Sequence, residues 1–364
     1  MPFSPDELSR YARHLGLAGF GPVAQEKLQR GSVLVIGAGG LGCPALLYLA
    51  AAGVGRIVIV DADRVDVSNL QRQVLYTGAD AGELKVIAAE RRLRALNPLI
   101  AIETHAERFT RNNALALVRS VDVVLDGSDN FATRYLVNDA CVLADRPFVY
   151  GAIQGFEGQL SVFNFRGGPT YRCLFPEPPE PGAVPNCAEA GVLGVLPGLI
   201  GCAQACETIK VLTGIGEPLA GKLFLLDALT MRTQIVALAA DPRRREIRGL
   251  PPEGYGETCL VDSETVEETD VAGLRAALAS AHPPQLIDVR ESWERARGMI
   301  SPDVHVPLGE LELRGAPQLD PAAPTVAYCA VGARSLHAAR VLREQFGFRE
   351  VTSLRGGIRA WQQE

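Results

Sequence analysis

Ser32-Val33-Leu34-Val35-Ile36-Gly37-Ala38-Gly39-Gly40-Leu41-Gly42 is the stretch from which the fold can be read. A short apolar run rich in Val and Ile meets a glycine cluster at once, which suits a strand buried on both faces. A helical pattern follows from Cys43 to Ala52, with Pro44 in the first turn, where its missing N–H costs nothing. A second apolar run, Arg56-Ile57-Val58-Ile59-Val60, then ends on Asp61. Strand, glycine turn, helix and strand make a β-α-β unit, the opening of a doubly wound, mostly parallel α/β sheet.

The same alternation continues outward. The spacing predicts helix over about Leu84–Leu96, an extended run near Ile100–His105 and a buried strand from Val121 to Leu125. Gln159–Phe165 alternates as a half-exposed antiparallel strand would. Pro169 to Pro185 is too rich in proline for regular structure, and an apolar helix is expected from about Val192 to Leu212. Upstream, Asp6 to Gln29 reads as helix, with Arg10, Arg13 and His14 on its surface. A proline- and glycine-rich change of composition divides the chain into domains at 1–248 and 265–364 with a linker at 249–264. The second domain has a βα pattern of its own, with strands at Gln285–Val289 and Thr325–Tyr328.

Bulk properties set limits. The chain has 364 residues, 47% hydrophobic and 21% charged, which suits two ordinary globular domains. A formal net charge of -6 argues against nucleic acid as a direct partner, because phosphate backbones need concentrated positive charge. No stretch is read as a membrane span and the N-terminus is not that of a signal peptide, so the expected location is the cytoplasm. There the eight cysteines stay reduced, leaving reactive or metal-binding thiols as the options.

Gly37, Gly39 and Gly42 satisfy G-x-G-x-x-G, and Asp61 sits where a carboxylate accepts both ribose hydroxyls. Alone, this pattern points first to a dinucleotide-dependent dehydrogenase. Its neighbours change the reading. Ser68-Asn69-Leu70-Gln71-Arg72 and Lys85 add cations and amides that a triphosphate needs as charge grows on departing pyrophosphate. Asp129-Asn130 follows a parallel strand at its ligand-binding end, where a carboxylate can hold magnesium. A solvated helix cap is the plainer alternative for the same pair.

With Arg10-Tyr11-x-Arg13, the Gly37–Gly42 turn, Asp61, Ser68–Arg72, Lys85, Asp129-Asn130 and Gly155-x-x-Gly158-Gln159, residues 6–242 resemble the superfamily that activates ubiquitin-like proteins. The likeness is to its molybdopterin-synthase and thiamine adenylyltransferases. It implies a Rossmann-like adenylation domain using ATP and magnesium on the C-terminal glycine of a small ubiquitin-like sulfur carrier. Gly37, Gly39, Gly40, Asp61, Ser68, Asn69, Leu70, Gln71, Arg72, Lys85, Asp129 and Asn130 would line the ATP site, with Asp129 on magnesium. Arg13 would reach in from the partner subunit of a homodimer, the apolar helix contributing to the interface. Cys187, in the motif after the proline-rich loop, would attack the acyl-adenylate or relay sulfur. Cys43, Cys141, Cys202 and Cys206 read as packing.

Cys329 ends a strand and opens Cys329-Ala330-Val331-Gly332-Ala333-Arg334 before a helix, so loop amides and the helix N-terminus face the sulfur. With Asp288-Val289-Arg290-Glu291 and Gly356-Gly357-Ile358-x-x-Trp361, residues 265–364 resemble a rhodanese. Related phosphatases use a loop one residue longer; this one suits a single sulfur, held as a persulfide and supplied by a cysteine desulfurase or another donor. The resemblance therefore implies an adenylyltransferase with sulfurtransferase activity, whose product is a thiocarboxylate. A binding protein that has lost catalysis would not keep Arg72, Lys85, Asp129 and Cys329 together. A conjugation activator passing its carrier on as a thioester is the alternative that the rhodanese-like part disfavours. Molybdenum cofactor biosynthesis, tRNA thiolation, and cysteine, thiamine or siderophore synthesis could all receive the sulfur.

One departure stands out. Relatives bind structural zinc through two Cys-x-x-Cys pairs, whereas here the first is Thr170-Tyr171-Arg172-Cys173 and Asp241-Pro242-Arg243-Arg244-Arg245 replaces the second. A closed tetrahedral site needs four ligands, so no structural zinc is expected, and packing or Arg–carboxylate pairs should hold that corner instead.

Overall fold

The structure, a computed structural model, describes residues 3–178, 191–251, 255 and 266–363. Cys187 and most of the 249–264 segment lie outside the described residues. The chain forms two compact units, Met1–Cys259 and Leu260–Glu364.

In the first unit an eight-stranded sheet runs in the order β3-β2-β1-β4-β5-β6-β7-β8. Its strands are β1 (Ser32–Ile36), β2 (Arg56–Val60), β3 (Ala101–His105), β4 (Val123–Asp126), β5 (Phe148–Gln154), β6 (Glu157–Phe163), β7 (Lys222–Asp227) and β8 (Arg232–Ala237). β1 to β5 pair in parallel and β5 to β8 antiparallel. The helix Gly42–Ala52 packs with Lys85–Leu96 over one face of the parallel part, and Phe131–Ala144 lies against the other. Apolar surface is thereby buried on both sides of β1, β2 and β4, which is why their sequences are nearly continuous in Val, Ile and Leu.

Several expectations need correcting. The segment from Asp6 to Gln29 is three helices, Pro5–Arg10, Ala12–Leu15 and Gly21–Arg30; the first break falls at Tyr11, and the second follows from the positive φ of Gly19 and Gly21. β6 is mostly buried rather than half-exposed, since it sits inside the sheet with the helix Val195–Thr213 against it. Among the described residues of the proline-rich segment, Tyr171–Leu174 forms a helical turn. Val195–Thr213 is long and apolar enough by length and composition to cross a membrane, at 19 residues and mean hydropathy 1.3, contrary to the sequence reading. Its Gln204 and Glu207 are buried on partners inside the unit: Gln204 donates to the Asp126 and Val149 carbonyls, and Glu207 accepts from the Leu219 amide. It is placed here as a core helix. Cys206 on this helix is exposed and Cys202 partly so, because only one side of the helix meets the sheet; neither is core. Cys43 and Cys141 are buried as expected, and burial pushes the Cys43 thiol up to about 12.

Several polar contacts converge around Cys173 and Asp241. The Cys173 thiol accepts from the Thr170 and Asp241 amides at 3.3 and 3.4 Å. Arg243 pairs with Asp241, Arg244 with Glu177, and Arg172 clamps the buried Asp139 carboxylate at 2.8 and 2.9 Å. Tyr255 donates to the same carboxylate at 2.7 Å, fixing the chain leading out of the first unit to the helix Phe131–Ala144.

The second unit is a five-stranded parallel sheet ordered β11-β10-β12-β13-β9. Its strands are β9 (Glu268–Thr269), β10 (Gln285–Asp288), β11 (Val304–His305), β12 (Thr325–Tyr328) and β13 (Val351–Leu354). The helix Ala333–Phe346 packs across β12 and β13.

Asp139 is 3% exposed, so Arg172→Ala would strand a buried carboxylate. We expect a loss of about 3–5 kcal/mol in chemical denaturation, with Arg172→Ala/Asp139→Asn recovering much of it.

Candidate functional site

The parallel register brings the first site together. Ile36 pairs with both Val60 and Asp126, so the glycine turn, Asp61 and the segment from Gly127 to Asn130 leave the same sheet edge side by side. The backbones approach closely: a Cβ on Gly37 would lie 2.9 Å from the Gly127 oxygen, and one on Gly42 would lie 2.0 Å from the Gly37 oxygen. Gly37 also has φ of 88°. Only glycine fits both places. Asp61 accepts from the Ala38 amide at 2.8 Å and from the Asp63 amide at 2.7 Å, which ties the second strand end to the turn. Burial raises the Asp61 carboxyl above its ordinary range, against the pull of Lys85.

Cations converge on this edge. Lys85, 5% exposed, pairs with Asp63 at 2.8 Å, so its charge is aimed at the loop leaving Asp61. Arg72 donates to Asn69 Oδ1 at 2.8 Å, and its Cδ would lie 3.6 Å from a Cβ on Gly40. Ser68 bonds Asp66, while Gln71 abuts Gly194 and Leu70 packs on the core; these three shape the turn that carries Arg72. Asp129 is exposed at the strand end, and Asn130 caps the following helix through the Thr133 amide. For Asn130 the plainer reading, a helix cap, describes the contact made.

Sequence reasoning missed several neighbours. Gln73 is 3% exposed, bonds Asn69 and leaves its Oε1 without a partner. Tyr76 donates to the Ala38 carbonyl at 2.9 Å. Asp126 is fully buried beneath Asp129, accepts from Ser128 and is raised by that burial. The signal for Gln73 was its place directly after Arg72; Tyr76 and Asp126 gave none. Arg13 is exposed, and none of the hydrogen bonds or ion pairs among the described residues brings it to this edge.

An edge of backbone amides, two cations and the exposed carboxylate of Asp129 suits a polyphosphate and its metal ion.

The second unit holds the thiol site. Cys329 is 1% exposed and accepts from the Gly332 amide at 3.1 Å. Ser335, bonded to Ser353 at 2.8 Å, lies 3.6 Å from the sulfur. Ile358 and Arg359 donate backbone bonds to the Cys329 and Ala330 carbonyls, and a Cβ on Gly357 would come within 2.4 Å of the Cys329 oxygen. The paired glycines therefore let a helix end brace the loop from Cys329 to Arg334. Asp288 and Arg290 form a buried pair at 2.7 Å, a structural brace next to that loop. Arg334 is clamped by Glu294 at 2.7 and 2.6 Å. A buried cysteine whose sulfur accepts from a loop amide suits sulfur carried as an anion.

Known proteins match both parts of the chain. Residues 11–246 match the ThiF family and residues 271–364 the Rhodanese-like domain. The chain is 43% identical over 373 residues to a probable adenylyltransferase/sulfurtransferase, MoeZ, of Mycobacterium tuberculosis, covering 98% of this chain and 93% of that one. It is 55% identical over 248 residues to a sulfur carrier protein adenylyltransferase of Thermus thermophilus, covering 67% and 92%. The structure of E. coli MccB with ATP shares the fold, with a TM-score of 0.57 at 22% identity, covering 64% of this chain and 72% of that one. The chain belongs to the ThiF family and joins its adenylation fold to a rhodanese-like domain.

Proposed function

We propose that residues 1–248 adenylate the C-terminal glycine of a small ubiquitin-like sulfur carrier and that residues 265–364 supply the sulfur that converts it to a thiocarboxylate. The observation that carries this reading is the joining on one chain of a phosphate-accepting sheet edge and a buried thiol that accepts from a loop amide, with a relative matched along nearly its whole length. ATP lies across Gly37, Gly39, Gly40, Asp61, Ser68, Asn69, Arg72, Lys85 and Asp129. Asp129 would hold the magnesium that accompanies ATP, and that ion would supply neutralising charge at the phosphates. The carrier carboxylate attacks the α-phosphorus, forming a new P–O bond as pyrophosphate leaves with its electron pair. Arg72 and Lys85 offset the charge that gathers there.

The persulfide on Cys329 then attacks the acyl carbon and AMP departs, directly or by way of Cys187. The resulting acyl disulfide is cleaved by a reducing thiol, which releases the thiocarboxylate. A cysteine desulfurase or similar donor reloads Cys329. The setting is cytoplasmic. The named sulfur-carrier adenylyltransferase from Thermus thermophilus supports the choice of carrier over a conjugated ubiquitin-type protein.

The half-reactions separate by mutation. Cys329→Ala should leave carrier-dependent ATP–pyrophosphate exchange nearly intact and abolish thiocarboxylate formation, seen by intact mass of the carrier. Asp129→Ala should lower exchange itself by about a hundredfold or more. Thiocarboxylate made at the normal rate by Cys329→Ala would refute the persulfide role.

Exposed Arg13 supports a homodimer in which that guanidinium enters the partner's ATP site, with the apolar helix Val195–Thr213 at the interface. Inactive Arg13→Ala and Asp129→Ala protomers should regain up to one working site per mixed dimer after subunit exchange. No recovery after proven exchange would refute sharing.

Structural zinc is proposed absent, supported by the backbone bonds that occupy Cys173 and the Arg–carboxylate pairs around Asp241. Elemental analysis of protein purified without a metal-binding tag should find none; about one zinc per subunit, lost with stability on chelation, would overturn this.

A further inference from the structure

The loop that cradles Cys329 carries a single cation, Arg334, and that cation is already committed. Its guanidinium meets both carboxylate oxygens of Glu294 in a two-point pair, with side chains only 19% and 13% exposed. Burial works against ionisation of Glu294, but the Arg334 bonds overcome it and hold the carboxyl below its ordinary range. A second carboxylate, Glu291, also acts on Arg334. The other arginines nearby are similarly engaged. Arg290 is bound by Asp288, and Arg295 by Asp303 and Asp288. Arg355 pairs with Glu268. Arg359 is the exception; its amide touches the loop through the Ala330 carbonyl and its side chain is exposed.

Such a mouth discriminates by charge. Thiosulfate approaches as a dianion and must give up its outer sulfur to a thiolate, with sulfite leaving on the electron pair of the broken S–S bond. That encounter needs uncommitted positive charge beside the sulfur. A persulfide on a cysteine thiol brings less negative charge. Here the Cys329 thiolate attacks the terminal sulfur, the S–S bond breaks, and the donor leaves as a thiolate while Cys329 becomes the persulfide; the transfer needs no other reactant.

We propose that Glu294 is a donor-specificity residue: by neutralising Arg334 it sets the Cys329 loop to take sulfur from a cysteine-borne persulfide in preference to thiosulfate. The proposal rests on the sulfurtransferase reading of Cys329. Arg334 alone would favour an anionic donor; Arg334 held by Glu294 serves as a loop brace.

The test uses the full chain, with loading of Cys329 followed by intact mass and two donors, thiosulfate and cysteine persulfide. Glu294→Gln keeps the side-chain shape and frees the charge. The ratio of kcat/KM for thiosulfate to that for cysteine persulfide should rise about tenfold, mainly through the KM for thiosulfate. A second reading needs no variant: thiosulfate loading of the unmodified chain should speed up as salt is added, because screening relieves repulsion. After Glu294→Gln it should slow with salt. An unchanged or lowered ratio, or wild-type loading that slows with salt, would overturn the proposal. So would thiosulfate loading that collapses in Arg359→Ala and ignores Glu294→Gln, since the exposed cation would then govern donor choice. If neither donor loads Cys329 in the unmodified chain, the sulfurtransferase reading itself falls and takes this proposal with it; loading by both donors with an unmoved ratio sinks the proposal alone.

Discussion

The first domain depends on a backbone approach that no side chain could permit. Gly42 returns so close to Gly37 that an added Cβ would sit 2.0 Å from a carbonyl oxygen, and Gly37 in turn lies against Gly127. This contact lets the helix Gly42–Ala52 start immediately above the strand end. It also leaves the amides of the turn beside Asp61 and the Asp126–Asn130 segment. Larger residues there would push the helix off the sheet and separate the strand ends that together make the nucleotide edge. The core on both faces of β1 is compatible with only this spacing, so packing and site geometry are one constraint.

The second unit solves a related problem with different parts. A loop that must wrap a sulfur cannot also be stabilised by a regular ladder, so its carbonyls are satisfied from outside by the amides of Ile358 and Arg359. Glycine at 357 makes that approach possible. At the sheet edge Lys85 is paired with Asp63, and Arg72 is held by a hydrogen bond to the Asn69 amide oxygen. Cations held by short bonds are pre-aimed and lose little entropy when a ligand arrives.

Sequence carried the strands best where both faces are covered. β1 and β2 have the predicted limits because an apolar run stops at glycine in one and at Asp61 in the other. The N-terminal segment was harder, since its periodic apolar residues suggested one helix while Gly19 and Gly21 carry the second break in plain view. Cys206 shows a different failure. An evenly apolar helix gives no sign of which side meets the sheet, and only the packing of Val195–Thr213 leaves that thiol outside. Asp61, Arg72, Lys85 and Cys329 were legible because chemistry restricts residue type at those positions. Their supports were not: Asp63 for Lys85, Glu294 for Arg334 and Asp139 for Arg172 are set by tertiary contacts that no local spacing encodes.

The near-complete burial of Cys329 bears on durability in an oxidising cell. Only 1% of the residue is exposed, so the bare thiol offers little surface to solvent between encounters with a donor. A sulfur atom added to it extends outward by about 2 Å. Damage should then fall on that added atom, whose oxidised form leaves with the S–S bond when a thiol reduces it. The cysteine sulfur itself is kept from the sulfinic and sulfonic states, the first reversible only by a dedicated repair enzyme and the second permanent. On the proposed cycle the cargo would act as a sacrificial cap, renewed at each turnover.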